Sequence, residues 1–111
     1  MPNGATLSPD ASWISQSKWD ALTDVQQQTF ANVCPDFVVE LRSKSDNLKP
    51  LQEKMQEYMD NGARLGWLIN PKQRQVIVYR SNQEVEILEN PQTVSGEDVL
   101  VGFVLQLNLI W

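Results

Sequence analysis

The sequence predicts an α/β (α+β) fold, a mixed β-sheet with one helix packed on it. The first observation is "FVVELR", Phe37 to Arg42, where four of the first five residues are large and apolar and β-branched valines follow Pro35. The second is "LKPLQEKMQEYMDN", where Leu48, Leu51, Met55, Tyr58 and Met59 recur at helical spacing. The third is the order that follows: "RLGWLIN", "VIVYR" and "EVEIL" are apolar runs separated by turn residues. An order of strand, helix, strand, strand, strand is that of a mixed sheet with a helix on one face.

Taken along the chain, "PNGA" is a turn, and Ala11, Trp13 and Ser15 alternate with Asp10, Ser12 and Ile14 as in a short strand. Ser17 to Phe30 reads as one or two short helices, the second capped by Thr23 or Asp24. Within Phe37–Arg42, period two puts Phe37, Val39 and Leu41 on one face and Val38, Glu40 and Arg42 on the other. Asn47 or Asp46 suits the cap of the helix from Leu48 to Asn61, Pro50 is tolerated in its first turn, and Gly62 supplies the stop. Pro71 leads the turn "PKQRQ", and Ser81 and Asn82 separate the next two strands. The tail "VLVGFVLQLNLIW" suits either a strand or a docked helix.

A chain of 111 residues, 41% apolar and 21% charged, has room for one core and forms a single domain over 1–111. No apolar run approaches the length of a membrane span, and the start "MPNGATLSPD" is unlike a signal peptide, so cytoplasm is the expected compartment. Cys34 is the one cysteine and there is no histidine, which excludes an internal disulfide, a Cys/His zinc site and a Cys-His nucleophile. A small buried thiol is the plain reading of Cys34. The net charge of −5 disfavours a broadly basic nucleic-acid platform but leaves room for a local site whose sign a divalent cation changes.

Glu40 is the anomaly, a carboxylate inside the most apolar strand. Arg42 projects from the same face, and Lys54 lies at the border of the helix's apolar stripe, about 90° from its centre at ~100° per residue. Lys49, Glu53, Glu57 and Asp60 lie farther round, towards water. Strand and helix can therefore bring Glu40 and Lys54 together at the sheet edge, with Asp10 as a second carboxylate on a neighbouring strand. Two carboxylates and a main-chain carbonyl are the hard oxygen donors that Mg²⁺ prefers, and a nearby lysine suits phosphoryl chemistry. The plain alternatives are a structural ion pair for Glu40, a turn residue for Asp10 and a lysine that packs by its methylenes for Lys54.

"SPDASWI", then "CPDFVVELRSKSDNLKPLQEKMQEYMDNGARLGWLINP", then "VIVYR" resemble the Uma-two family of bacterial endonucleases predicted from sequence, a branch of the PD-(D/E)xK, restriction-endonuclease-like superfamily. The likeness covers nearly the whole chain. It implies that Asp10 is the aspartate of the PD motif, Glu40 the acidic residue of the second half-motif, and Leu41 the donor of a backbone carbonyl to Mg²⁺ or Mn²⁺. It implies DNA as the substrate. Arg42 stands where the common motif has lysine; Lys54 is then the lysine displaced to the following helix, and Arg42 a phosphate contact or a carboxylate's partner.

Relatives in that family usually carry a long amino-terminal portion ahead of the PD motif, so the resemblance implies a fold truncated at its amino terminus. Strands apolar on both faces normally need cover on both sides, which leads us to expect a broad exposed apolar surface and association with a second copy or another chain. Two readings follow: a metal-dependent endonuclease working through Asp10, Glu40 and Lys54, or an inactive remnant serving as an interaction or oligomerisation module. A purely structural domain would be favoured were Asp10 and Glu40 far apart.

Overall fold

A computed structural model describes residues 10–23, 35–44 and 46–111. Strands β1 (Ala11–Trp13), β2 (Phe37–Leu41), β3 (Leu65–Asn70), β4 (Gln75–Arg80) and β5 (Glu86–Glu89) form one sheet in the order β1-β2-β3-β4-β5. The β2–β3 pair is parallel and its neighbours are antiparallel, so the sheet is mixed as expected. A parallel pair needs a long crossover, and helix α2 (Leu48–Asp60) supplies it.

The expected period-two faces are the two sides of the sheet. Val38, Leu68, Ile77 and Tyr79 pack with Met55 and Tyr58 of α2 into one core, which Leu48, Leu51 and Met59 flank. Burying one side chain such as Met55, fully inaccessible here, contributes about 1.5–3 kcal/mol. Gly66 sets how closely the helix lies: a Cβ there would come within 2.6 Å of the Met55 terminal methyl and 3.2 Å of Val38 Cγ2. Gly62, at φ 110°, ends the helix in a conformation that glycine adopts without strain. Asn47 occupies the N-cap position but its side chain makes no capping bond, and Asp46 instead accepts from the Ser43 amide at 3.0 Å.

The other face carries Phe37, Leu65, Trp67, Ile69, Val76 and Val78. The carboxy-terminal tail resolves into a strand, β7 (Val104–Gln106), followed by a 3₁₀ turn (Leu107–Leu109), and β7 pairs with β6 (Thr93–Ser95) in a two-stranded sheet. Val94, Val99 and Leu107 close over this second core. Among the described residues cover on that side is partial: an apolar groove of about 550 Å³ remains, and Trp13, Leu41 and Phe103 on its walls are exposed. The buried Trp67 indole N–H, on the same wall, has no hydrogen-bond acceptor among the described residues.

The first strand is shorter than its alternation suggests, because Ser15 leaves the sheet to cap α1 (Gln16–Asp20), its hydroxyl accepting from the Lys18 amide at 3.2 Å. The Ser15 amide donates to Asp36 Oδ2 at 2.8 Å, tying the start of this helix to the entrance of β2. The fifth strand begins two residues later than "EVEIL" suggested. The second short helix expected before Phe30, its cap at Asp24, and the buried thiol of Cys34 lie outside the described residues. Among the described residues no helix is long and apolar enough to cross a membrane.

Candidate active site

The β1–β2 register pairs Ala11 with Val39, and Asp10 immediately precedes β1, beside the end of β2. Asp10 is exposed, and its Oδ2 accepts from the Leu41 amide at 2.7 Å, so the carboxylate is fixed against the end of β2. In an extended strand the N–H and C=O of one residue point to the same side, which turns the Leu41 carbonyl towards Asp10 as well.

Glu40 is only 2% exposed, on the α2 side of the sheet. Lys54 Nζ lies 2.9 Å from its Oε1, and the Tyr58 hydroxyl donates to the same oxygen at 3.3 Å. Helical geometry explains the pairing of these two donors, since Lys54 and Tyr58 are four residues apart and so adjacent on one face of α2. Lys54 is partly exposed at the border of the buried stripe; Lys49, Glu53 and Asp60 are exposed and Glu57 half-buried.

Burial pushes the Glu40 carboxyl above its ordinary pKa, and the negative charge of Asp10 adds to the rise. The hydrogen bond and charge of Lys54, and the Tyr58 hydroxyl, act in the opposite sense without cancelling it. The site thus holds a carboxylate that is short of positive charge even with its lysine in place.

No group of three or more His, Cys, Asp or Glu side chains suited to a metal occurs among the described residues. Asp10 and Glu40 are two hard oxygen donors close enough for the charge of Asp10 to act on Glu40, one buried and one open to solvent. That set fits a cation such as Mg²⁺, which keeps several waters and is usually held by one or two carboxylates together with substrate phosphate oxygens. The chemistry of Glu40 agrees with this fit: a second positive charge would relieve the desolvation that Lys54 leaves uncompensated.

Arg42 continues the β-pairing, its amide donating to the Ile69 carbonyl at 2.9 Å. Its guanidinium is held by neutral acceptors, Nε to the Asp46 carbonyl at 3.2 Å and a terminal nitrogen to Asn70 Oδ1 at 3.3 Å. Asn70 is itself fully buried and donates to Gln73 at 2.7 Å. Sequence reasoning missed Tyr58 as a donor to Glu40 and Asn70 as the support of Arg42. A buried tyrosine needs a partner for its hydroxyl, so its place one turn beyond Lys54 was a usable signal for the first. Asn70 gave none, because nothing local distinguishes a buried Asn at a strand end from a turn residue.

The family described as "Uma2: Putative restriction endonuclease" matches residues 1–108. Among solved structures, the chain is similar to one titled a putative nuclease belonging to DUF820 from Anabaena variabilis. The two are 26% identical, with a TM-score of 0.61 over 68% of this chain and 43% of that one. The chain thus spans less than half the length of that nuclease. The search of curated proteins gives no match. With the family match running over almost its entire length, and a mixed sheet and packed helix like those of that solved structure, the chain belongs to the Uma2 family of restriction-endonuclease-like proteins.

Proposed function

We propose that this chain is a divalent-metal-dependent endonuclease of the PD-(D/E)xK kind that hydrolyses DNA phosphodiester bonds, with Asp10, Glu40 and Lys54 as its catalytic residues. The observation that supports the reading is Lys54 at 2.9 Å from a buried Glu40, with Asp10 bonded to the adjacent Leu41 amide and its charge acting on Glu40. Family membership and the nuclease-like neighbour support it.

Asp10, Glu40 and the Leu41 carbonyl would hold the ion, Mg²⁺ or Mn²⁺. When bound, it supplies Lewis-acid stabilisation of the charge that builds on the phosphate and lowers the pKa of water. Hydrolysis forms a bond between a water oxygen and phosphorus and breaks one P–O ester bond. The attacking water loses a proton, and the leaving alkoxide takes one up. Lys54, fixed by Glu40, presents an ammonium whose hydrogens orient the attacking oxygen or offset charge on the phosphate. Glu40 and Tyr58 position that ammonium, and Arg42 adds a contact to phosphate.

The same reading assigns the protein to the cytoplasm, where its substrate would be reached, and extends to its association. The open apolar groove beside Asp10 is where a second copy of the chain would pack. The alternative is an inactive interaction or oligomerisation module. Plasmid nicking with Mn²⁺ separates the two. Wild type should nick supercoiled plasmid, and Lys54→Ala should lose that activity by about 10²-fold or more while remaining folded. A wild type that leaves plasmid intact at high enzyme concentration would favour the module.

A further inference from the structure

A second feature lies past the end of β2. Arg42, Ser43, Lys44, Pro71 and Lys72 line a pocket of about 450 Å³, bounded by the β2–α2 loop and the β3–β4 turn. Because β2 and β3 run parallel, their carboxy-terminal ends, and the loops that leave them, lie side by side. Three of the nine lysines and arginines of an acidic chain are gathered there. Among the described residues none of the three is in an ion pair, whereas Lys18, Lys54 and Arg80 are.

Arg42 is the organised member. Its bonds to the Asn70 side chain and the Asp46 carbonyl fix the guanidinium without neutralising it. The Asp46 carboxylate is the nearby negative charge, held below its ordinary pKa chiefly by the Ser43 backbone amide, and the electrostatic influence of Arg42 acts on it in the same sense. Lys44 and Lys72 are exposed at the rim. Arg42 lies two residues beyond Glu40, about 7 Å along the chain.

We infer that this pocket is a phosphate subsite, one that grips a non-reacting backbone phosphate of the nucleic-acid strand whose reacting phosphate lies at Asp10, Glu40 and Lys54. The inference rests on the nuclease reading for its ligand but is tested without cleavage. Cationic side chains around a pocket recognise the phosphodiester charge, and such contacts position a strand without reading its bases. A chain with net charge −5 has little long-range attraction for DNA, so the local cluster would carry most of the salt-dependent affinity.

The test is fluorescence anisotropy of a labelled DNA duplex in EDTA across a salt series, comparing wild type, Lys44→Gln/Lys72→Gln, and Lys49→Gln as a control on the outer face of α2. The double variant should bind on the order of tenfold more weakly at low salt. Its log–log salt slope should be shallower by about 1.8, two contacts at ~0.9 each. Lys49→Gln should match wild type. Equal affinity and slope for the double variant and wild type, or no duplex binding by wild type, would overturn the subsite. Inorganic phosphate as competitor distinguishes a site for free phosphate: full displacement of the duplex at low millimolar phosphate, where ionic strength barely changes, would also overturn it. Plasmid nicking, scored separately, keeps failure of the subsite distinct from failure of the nuclease reading.

Discussion

In the proposed site, Glu40 is the residue on which stability and function would pull in opposite directions. Its carboxyl is raised above the ordinary value by burial, so in metal-free protein the folded state binds the proton more tightly than the unfolded chain does. The sign follows: Glu40's contribution to stability is fully present below its unfolded pKa, and is lost as pH rises through the higher folded pKa. In EDTA, Glu40→Gln should therefore melt no lower than wild type at pH 7, and higher by up to a few degrees, on a scale where ~1 kcal/mol is about 4–8 °C. The gap should close as pH falls into the ordinary carboxylate range. A variant that melts well below wild type at pH 7 would mean that the Lys54–Glu40 pair outweighs the burial. At this scale the site was legible because a carboxylate in "FVVEL" breaks the rule that apolar strands exclude charge. Arg42, by contrast, was ambiguous from sequence, since its supports, Asn70 and the Asp46 carbonyl, come from a later strand end and a loop.

At the scale of elements, the parts that announced themselves were the longer ones. Thirteen residues of α2 repeat the apolar stripe often enough to place Met55 and Tyr58 inside and Lys54 on the border. β2 and β3 announced themselves differently, as near-continuous apolar runs of five and six residues bounded by turn residues. β1 was read from its alternation, but the three-residue strands β6 and β7 were not, because so short a run carries no measurable period and its pairing is decided by what it meets in the folded chain. The tail is the clearest case: "FVLQLNLIW" has the aliphatic content of a strand or a helix, and pairing of Val104–Gln106 with Thr93–Ser95 settles it. The capping of α2 shows the limit of local rules, since Asp46, a good cap by type, is drawn to the Ser43 amide.

For the whole molecule, the two faces of the sheet are unequal. α2 seals one over Glu40, and the β6–β7 pair closes the other only in part, leaving the groove walled by Trp13, Leu41 and Phe103. Among the described residues the tail supplies cover that a single helix could not, and the groove is the apolar surface it leaves. Self-association through the groove should appear in sedimentation velocity as a coefficient that rises with concentration, and Trp13→Ser/Phe103→Ser should suppress that rise. A concentration-independent monomer in wild type would remove association from the account.

The central claim, that Asp10 and Glu40 are the protein's ligands for a divalent ion, is tested most directly by calorimetric titration of Mn²⁺ into wild type, Asp10→Asn and Glu40→Gln. The account predicts saturable heat in wild type that each variant loses, and wild-type affinity that strengthens with pH through the raised Glu40 pKa, because a carboxylate must shed its proton to bind metal. Binding in either variant with wild-type affinity, or no heat in wild type at millimolar Mn²⁺, would contradict it.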